Sequence, residues 1–195
     1  RRLRKTDFDA AEEPTKYCDC GQAQVRILSA DVEATDSPTN ARSIVALLQY
    51  QDFDLLLTGD ATFDTENSIL GRYEHDWLEC EILKIGHHGS STTSTSPAWA
   101  EAISPEAAVV SAGYSNRFAH PRKEVIERLM PFTLAEEAHP MRWGWSEGRT
   151  AKFENLAAFK EAIYSTATNG TIVVTSDGSE YWIDYGVRGA SQPRP

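Results

Sequence analysis

A chain of 195 residues with 41% hydrophobic and 10% aromatic content can build one domain with a real core, and it does not have the composition of a disordered polymer. Its formal net charge of −10 argues against a broad basic surface for duplex DNA or RNA, although a metal can neutralise a phosphate locally in an acidic protein. The longest apolar runs, at 44–48 and 55–57, fall far short of the roughly 18 residues that a membrane-spanning helix needs, so the sequence reads as soluble, with a cytoplasmic setting slightly favoured and no compartment fixed.

In chain order, residues 1–23 are polar, charged and unpatterned and read as a poorly ordered lead-in. The basic start at Arg1, Arg2, Arg4 and Lys5 runs into Asp7, Asp9, Glu12 and Glu13 instead of an apolar stretch, which is not a signal peptide; Arg1 reads as an arbitrary cut in a longer polypeptide. Cys18, Cys20 and Cys80 are odd in number, so a purely internal disulfide framework is not expected, and Cys18-Asp19-Cys20 reads as two incidental thiols in a loop or as half a zinc clip.

Residues 24–186 carry the domain. Residues 25–28 read as a strand, 31–40 as a loop, and 43–50 and 53–58 as a hairpin of buried strands. Phe63, Glu66, Ile69 and Leu70 recur at helical spacing. A short apolar strand follows at 81–85, then a helix capped by Ser96 with Pro97 at its first position, then a strand at 107–111. A helix from Pro121 presents Val125, Ile126, Leu129 and Met130 as one stripe. Strands alternating with helices in this way imply an α/β layered fold. The stretch 139–161 is less regular: 141–145 reads as a loop with aromatic anchors and 152–162 as a helix. Strands at 162–166, 171–175 and 180–184, punctuated by Asn169-Gly170 and Asp177-Gly178, read as a closing β-meander, and 187–195 as a tail. His75 and His139 stand alone and read as surface or loop residues.

Three polar clusters end predicted strands, where α/β folds build their sites. In Thr58-Gly59-Asp60 a carboxylate stands where it could bridge two metals, or simply cap the next helix. In Lys84-Ile85-Gly86-His87-His88-Gly89-Ser90 two adjacent imidazoles leave a buried strand; on extended backbone they would point oppositely, one toward a metal and one toward substrate or a supporting partner. His120, in Asn116-Arg117-Phe118-Ala119-His120-Pro121, stands at the turn into a helix as a possible ligand or a mere cap. Arriving as Asp, His-His and His after separate strands, these residues suggest a site assembled by the fold rather than a local clip.

The run from Asn40 to Pro121 resembles the C-terminal half of metallo-β-lactamase-fold domains of the ComEC-like group, which includes the hydrolase domain of DNA-internalisation competence proteins. The resemblance rests on Asn40, Ser43, Thr58-Gly59-Asp60, Glu66, the run Leu83-Lys84-Ile85-Gly86-His87-His88-Gly89-Ser90, Ser94, Ser111-Ala112-Gly113 and Asn116 to Pro121; Tyr164-Ser165-Thr166, Gly170-Thr171-Ile172 and Asp177-Gly178 match the group's closing strands, and the segment about 139–161 looks like an insertion. It implies the second half of an αββα sandwich. It further implies a metal-dependent hydrolase in which two zinc ions, or manganese, generate hydroxide near neutral pH to attack a phosphodiester or related ester. Asp60, His87 and His120 would be ligands, His87 and His88 the catalytic pair with either able to bind metal, and Lys84, Ser90 and Asn116 substrate contacts. The substrate would be a phosphoester or a nucleic-acid-like molecule, small or single-stranded rather than duplex. The group's H-x-H-x-D-H motif does not occur in these residues, so the resemblance also implies a missing N-terminal half and a stretch inactive alone. A degenerate half-domain serving as scaffold or interaction module, and a lactonase or thioesterase on the same fold, are the rival readings.

Overall fold

The structure, a computed structural model, describes residues 13–33 and 38–186. It is a mixed α/β fold built on a seven-stranded sheet in the order β1-β2-β3-β4-β5-β6-β9. Strands β1 (Thr15–Cys20), β2 (Ala23–Ser29), β3 (Val45–Tyr50) and β4 (Phe53–Leu57) form an antiparallel meander. From β4 the sheet turns parallel through β5 (Ile82–Lys84), β6 (Ala107–Val110) and β9 (Ile163–Ser165). Helices α2 (Phe63–Leu70), α3 (Pro97–Ile103) and α4 (Lys123–Leu129) make the connections among β4, β5, β6 and β9, as parallel pairing requires; a short α1 (Pro38–Ala41) precedes β3.

Period-2 alternation decides which face is buried. Val45 and Leu47 of β3 and Leu56 of β4 join Leu83, Ile85, Ala108 and Val110 in one core with Ile69, Trp99, Ile103, Val125, Ile126 and Leu129 of the three helices. Trp99, 1% exposed, is the largest fully buried side chain, of a kind whose truncation to Ala costs about 3–5 kcal/mol. The opposite face is only partly covered: Leu57 at the end of β4 and Ile44 just before β3 are 40% and 51% exposed. The cap of α3 follows the sequence, with the Ser96 hydroxyl accepting from the Trp99 amide and Pro97 opening the helix. No helix among the described residues is long and apolar enough to cross a membrane.

Several expectations are corrected. The lead-in contains β1, paired to β2 through a bulge, and Cys18 lies in that strand and is disulfide-bonded instead of standing in a loop; Cys80 is a free, buried thiol. Residues 1–12 and 187–195 lie outside the described residues. The expected loop and helix of 139–161 are instead a long antiparallel hairpin, β7 (His139–Glu147) and β8 (Thr150–Phe159). Glu147 pairs with Thr150, leaving a two-residue turn, and pairing with β7 overrides the helix-forming composition of 152–162. The closing strands do not form a meander: β9 joins the main sheet, α5 (Thr166–Asn169) follows, and β10 (Ile172–Ser176) pairs with β11 (Tyr181–Tyr185) as a separate ribbon. His139 is not a surface residue. It is 1% exposed, stacked on Tyr164 at 4.3 Å between centroids, with Nε2 3.0 Å from the Glu161 carbonyl oxygen.

Candidate functional site

Because β4, β5 and β6 are parallel neighbours, their carboxyl ends open on one edge of the sheet. That edge receives all three polar clusters, and backbone hydrogen bonds stitch them together. The His87 amide donates to the Gly59 carbonyl at 3.1 Å, the Phe63 amide to the Thr93 carbonyl at 2.7 Å, and the Arg122 amide to the Gly89 carbonyl at 2.9 Å. The Thr58 hydroxyl donates to the Lys84 carbonyl at 2.6 Å, and the Asp60 amide to the Ser43 hydroxyl at 3.1 Å. Gly89, at φ +79°, takes a conformation that strains an L side chain, and a Cβ there would lie 2.8 Å from Pro121 Cβ.

The paired histidines do not sit on extended backbone. His87 and His88 both have positive φ, 43° and 55°, in a left-handed turn over Gly86–Gly89, so the expectation of opposite projection along a strand fails. They nevertheless have different partners. The Asn40 side-chain NH2 can only donate, so His87 Nε2 accepts from it at 3.2 Å, and Nδ1 carries the proton toward Thr93 Oγ1 at 2.8 Å. Thr93 Oγ1 also lies 2.8 Å from Ser90 Oγ, and both ring nitrogens are engaged.

His88 Nδ1 lies 2.8 Å from the Ser111 carbonyl, which can only accept, so this nitrogen carries the proton. His88 Nε2 then lies 3.8 Å from Asp60 Oδ1, with the two side chains 53% and 42% exposed. The two atoms are too far apart for a hydrogen bond. The gap is close to the ~3.3 Å that separates two ligands bound at ~2.0 Å with tetrahedral angles. An imidazole whose other nitrogen donates to a backbone carbonyl is also the usual outer arrangement of a metal-binding histidine.

His120 closes the edge, its ring centroid 6.1 Å from that of His87 and stacked on Phe118 at 5.6 Å. Burial pushes its pKa down to about 4, and the positive charge of Arg122 and the neighbouring His87 and His88 push the same way against Asp60. It is therefore neutral at pH 7. Asn116 holds the loop before it: its carbonyl oxygen accepts from the amides of Phe118 and His120 at 3.2 and 2.9 Å, and its amide donates to the carbonyls of Gly113 and His120 at 3.0 and 2.7 Å. Lys84 donates to the Ile85 carbonyl at 2.9 Å, and burial lowers its pKa while Asp60 partly restores it. Ser90 is 6% exposed and engaged with Thr93. Among the expected substrate contacts, Asn116 alone lines the pocket of about 360 Å³ at this edge, with His88, Ser111, Gly113, Phe118, His120 and Thr166.

Sequence reasoning missed Thr93, legible only as one of a Ser/Thr run, and gave Ser111 and Thr166 a place in the resemblance but no role in the site. It quoted Glu66 without a role. The Glu66 carboxylate is buried and accepts from the amides of Thr95 and Ser96, fixing the loop that carries Thr93; Arg128 holds the same loop by the Ser91 and Thr95 carbonyls.

A metal fits the donor chemistry of Asp60 and His88. It does not find a complete shell, for among the described residues no group of three or more His, Cys, Asp or Glu side chains is gathered closely enough to hold an ion.

In sequence, this chain is similar to competence and recombination proteins. The chain is 40% identical over 90 residues to the competence protein ComA of Neisseria gonorrhoeae, covering 46% of this chain and 13% of that protein. It is 30% identical over 111 residues to ComE operon protein 3 of Bacillus subtilis strain 168, covering 57% of this chain and 14% of that protein. It is 34% identical over 98 residues to recombination protein 2 of Haemophilus influenzae, covering 50% of this chain and 12% of that protein. The chain thus spans only a small part of the length of the curated relatives it matches. No family model matches it.

Proposed function

We propose that this chain is the C-terminal part of a metal-dependent hydrolase domain of the metallo-β-lactamase type, acting on phosphodiester bonds in the handling of incoming DNA. The observation that carries the reading is the Asp60–His88 pair, with a carboxylate oxygen and an imidazole nitrogen 3.8 Å apart and the ring held from behind by the Ser111 carbonyl. The similarity to competence proteins supports the setting in DNA uptake. The partly open sheet face at Ile44 and Leu57 supports a further layer supplied by another segment, which would also bring the remaining ligands.

Asp60 and His88 would hold the metal, with His120, which lines the same pocket as His88, as a further donor. A zinc-class ion supplies Lewis acidity and a nucleophile at neutral pH when bound. In this reading His88 takes the ligand role, while His87, hydrogen-bonded on its ring nitrogens by Thr93 and Asn40, shapes the turn. Neutral His120 can share a hydrogen bond with a phosphoryl oxygen at pH 7, and the Arg122 charge beside it favours an anion there. Asn116 holds His120 in place through the backbone.

The scaffold reading keeps one observation in its favour, the incomplete donor set among the described residues. Cleavage of a labelled single-stranded oligonucleotide in zinc or manganese, by the natural full-length protein and its Asp60→Asn variant, separates the two. Metal-dependent cleavage lost in the variant supports the hydrolase, whereas absence of cleavage in both, or equal cleavage by both, refutes it.

A further inference from the structure

The loop between β6 and α4 exposes two large aromatic rings: Phe118 lines the pocket at the site, and Tyr114 lines a second pocket with Pro140, Asn155 and Thr168. Tyr114 is 55% and Phe118 52% exposed, on a loop whose other bulky residues are buried or engaged. Each ring is accompanied by a guanidinium. Arg142, 9% exposed, lies 4.2 Å from the Tyr114 ring centroid and 4.2 Å from that of Phe153, and it is fixed by donating to the Tyr114 carbonyl at 2.8 Å and to Asn155 at 2.7 Å. Arg117, on an exposed stem, lies 4.7 Å over the Phe118 ring, which also stacks on His120 at 5.6 Å, so an incoming base would take the guanidinium's place on the ring. Asn116, between the two aromatics, pins the loop with its four hydrogen bonds, so little ordering entropy remains to be lost on binding.

The loop's own sequence is cationic in an acidic chain, while Lys123 is ion-paired with Glu127 at 3.8 Å and Asp60 stands 3.8 Å from His88 of the adjoining pocket. Residues 111–123 hold three cations, Arg117, Arg122 and Lys123, and no carboxylate, in a chain with 29 acidic residues. A polyanion is therefore attracted to this loop and repelled from much of the remaining surface. Aromatic faces next to arginines are how proteins take single-stranded nucleic acid, because every base has a face to stack and every nucleotide a phosphate to pair. A duplex keeps its bases inside the stack and offers nothing to these rings.

We infer that Tyr114 and Phe118 form a base-stacking lip that seats unpaired nucleotides of a single strand, with Arg117 on the phosphate between them, and so feeds the strand into the pocket lined by Phe118, His120 and His88. The inference rests on the hydrolase reading for the purpose of the lip, but the binding it asserts is measurable without hydrolysis. A fluorescent thymidine dodecamer and an abasic dodecamer with the same backbone are titrated into the protein with EDTA present, followed by fluorescence anisotropy. The thymidine strand should bind at least about 5-fold more tightly than the abasic one. Phe118→Ala or Tyr114→Ala should remove most of that preference, and Phe118→Trp should retain it. Arg117→Ala should weaken both strands alike. Equal affinity for the two strands, or a preference untouched by both alanine variants, overturns the inference; so does a lip covered by another part of the protein, which would show as lowered stability in the alanine variants with no change in the preference. Hydrolysis of methyl p-nitrophenyl phosphate, which carries no base, is measured separately with metal, so a failed hydrolase reading with intact stacking is distinguishable from the reverse.

Discussion

The parallel edge of the sheet and the β7–β8 hairpin lie side by side, and they are specified in different ways. The edge is built from short loops whose side chains and backbone bond one another: Gly59 to His87, Ser43 to Asp60, Thr93 to His87, Gly89 to Arg122. Each contact needs a particular residue type at a particular place. The hairpin is held by its own ladder and by Met141, Trp143 and Phe159, which enter the main core, and it reaches the edge at few points. The Gly144 amide donates to the Pro121 carbonyl at 2.9 Å, and a Cβ on Gly144 would lie 2.6 Å from the Ala119 carbonyl oxygen. Arg142 reaches the Tyr114 carbonyl. The edge thus gathers the candidate site residues, and the hairpin backs the loop that presents His120.

Substitutions can break this division, and the largest effect is expected at the edge. Asp60→Asn should lower metal-dependent hydrolysis by more than about 100-fold, beyond the 10–100-fold typical of residues behind the ligands. Stability should stay within about 0.5 kcal/mol, since the side chain is 42% exposed. Steady-state kinetics with thermal denaturation reads both.

In the hairpin, Gly144→Ala should cost about 1–3 kcal/mol in chemical denaturation, because the added methyl meets backbone on both sides. It should also reduce hydrolysis by displacing the Ala119–His120 backbone. Unchanged stability and activity together would mean that the hairpin braces nothing.

Glu66 sharpens the contrast through pH. Burial raises its carboxyl from 4.5 to about 6, so the folded state holds this proton more tightly than the unfolded chain does. Stability should then fall as pH rises from 4.5 to 6, by about 2 kcal/mol in total. Glu66→Gln should flatten that part of the stability–pH curve measured by urea denaturation. The smallest effect belongs to the hairpin face: Trp143→Phe loses the indole hydrogen bond to Glu154 at 2.9 Å and should cost about 1 kcal/mol with hydrolysis unaltered.

The same contrast explains what could be read from the residues alone. Strands β2 to β6 and helices α2 to α4 were legible because their apolar periodicity matches their burial, as with Val125, Ile126 and Leu129. The carboxylate and the histidines were legible as candidates because each follows a strand. Which imidazole faces Asp60 was not, since adjacency was interpreted on extended backbone while the chain there turns through positive φ at both histidines. The hairpin was misread because 152–162 has helix-forming residues and its strand state depends on the partner strand β7. His139 gave no sign of burial because its aromatic neighbours Tyr164 and Tyr185 are distant in sequence.

The central claim is that Asp60 and His88, rather than Asp60 and His87, face the metal. Zinc content of the natural full-length protein, compared with its His88→Ala and His87→Ala variants after equal purification, tests it most directly. The account predicts bound zinc in the unaltered protein and in His87→Ala, and its loss in His88→Ala. Zinc retained by His88→Ala, or absent from the unaltered protein, would contradict it.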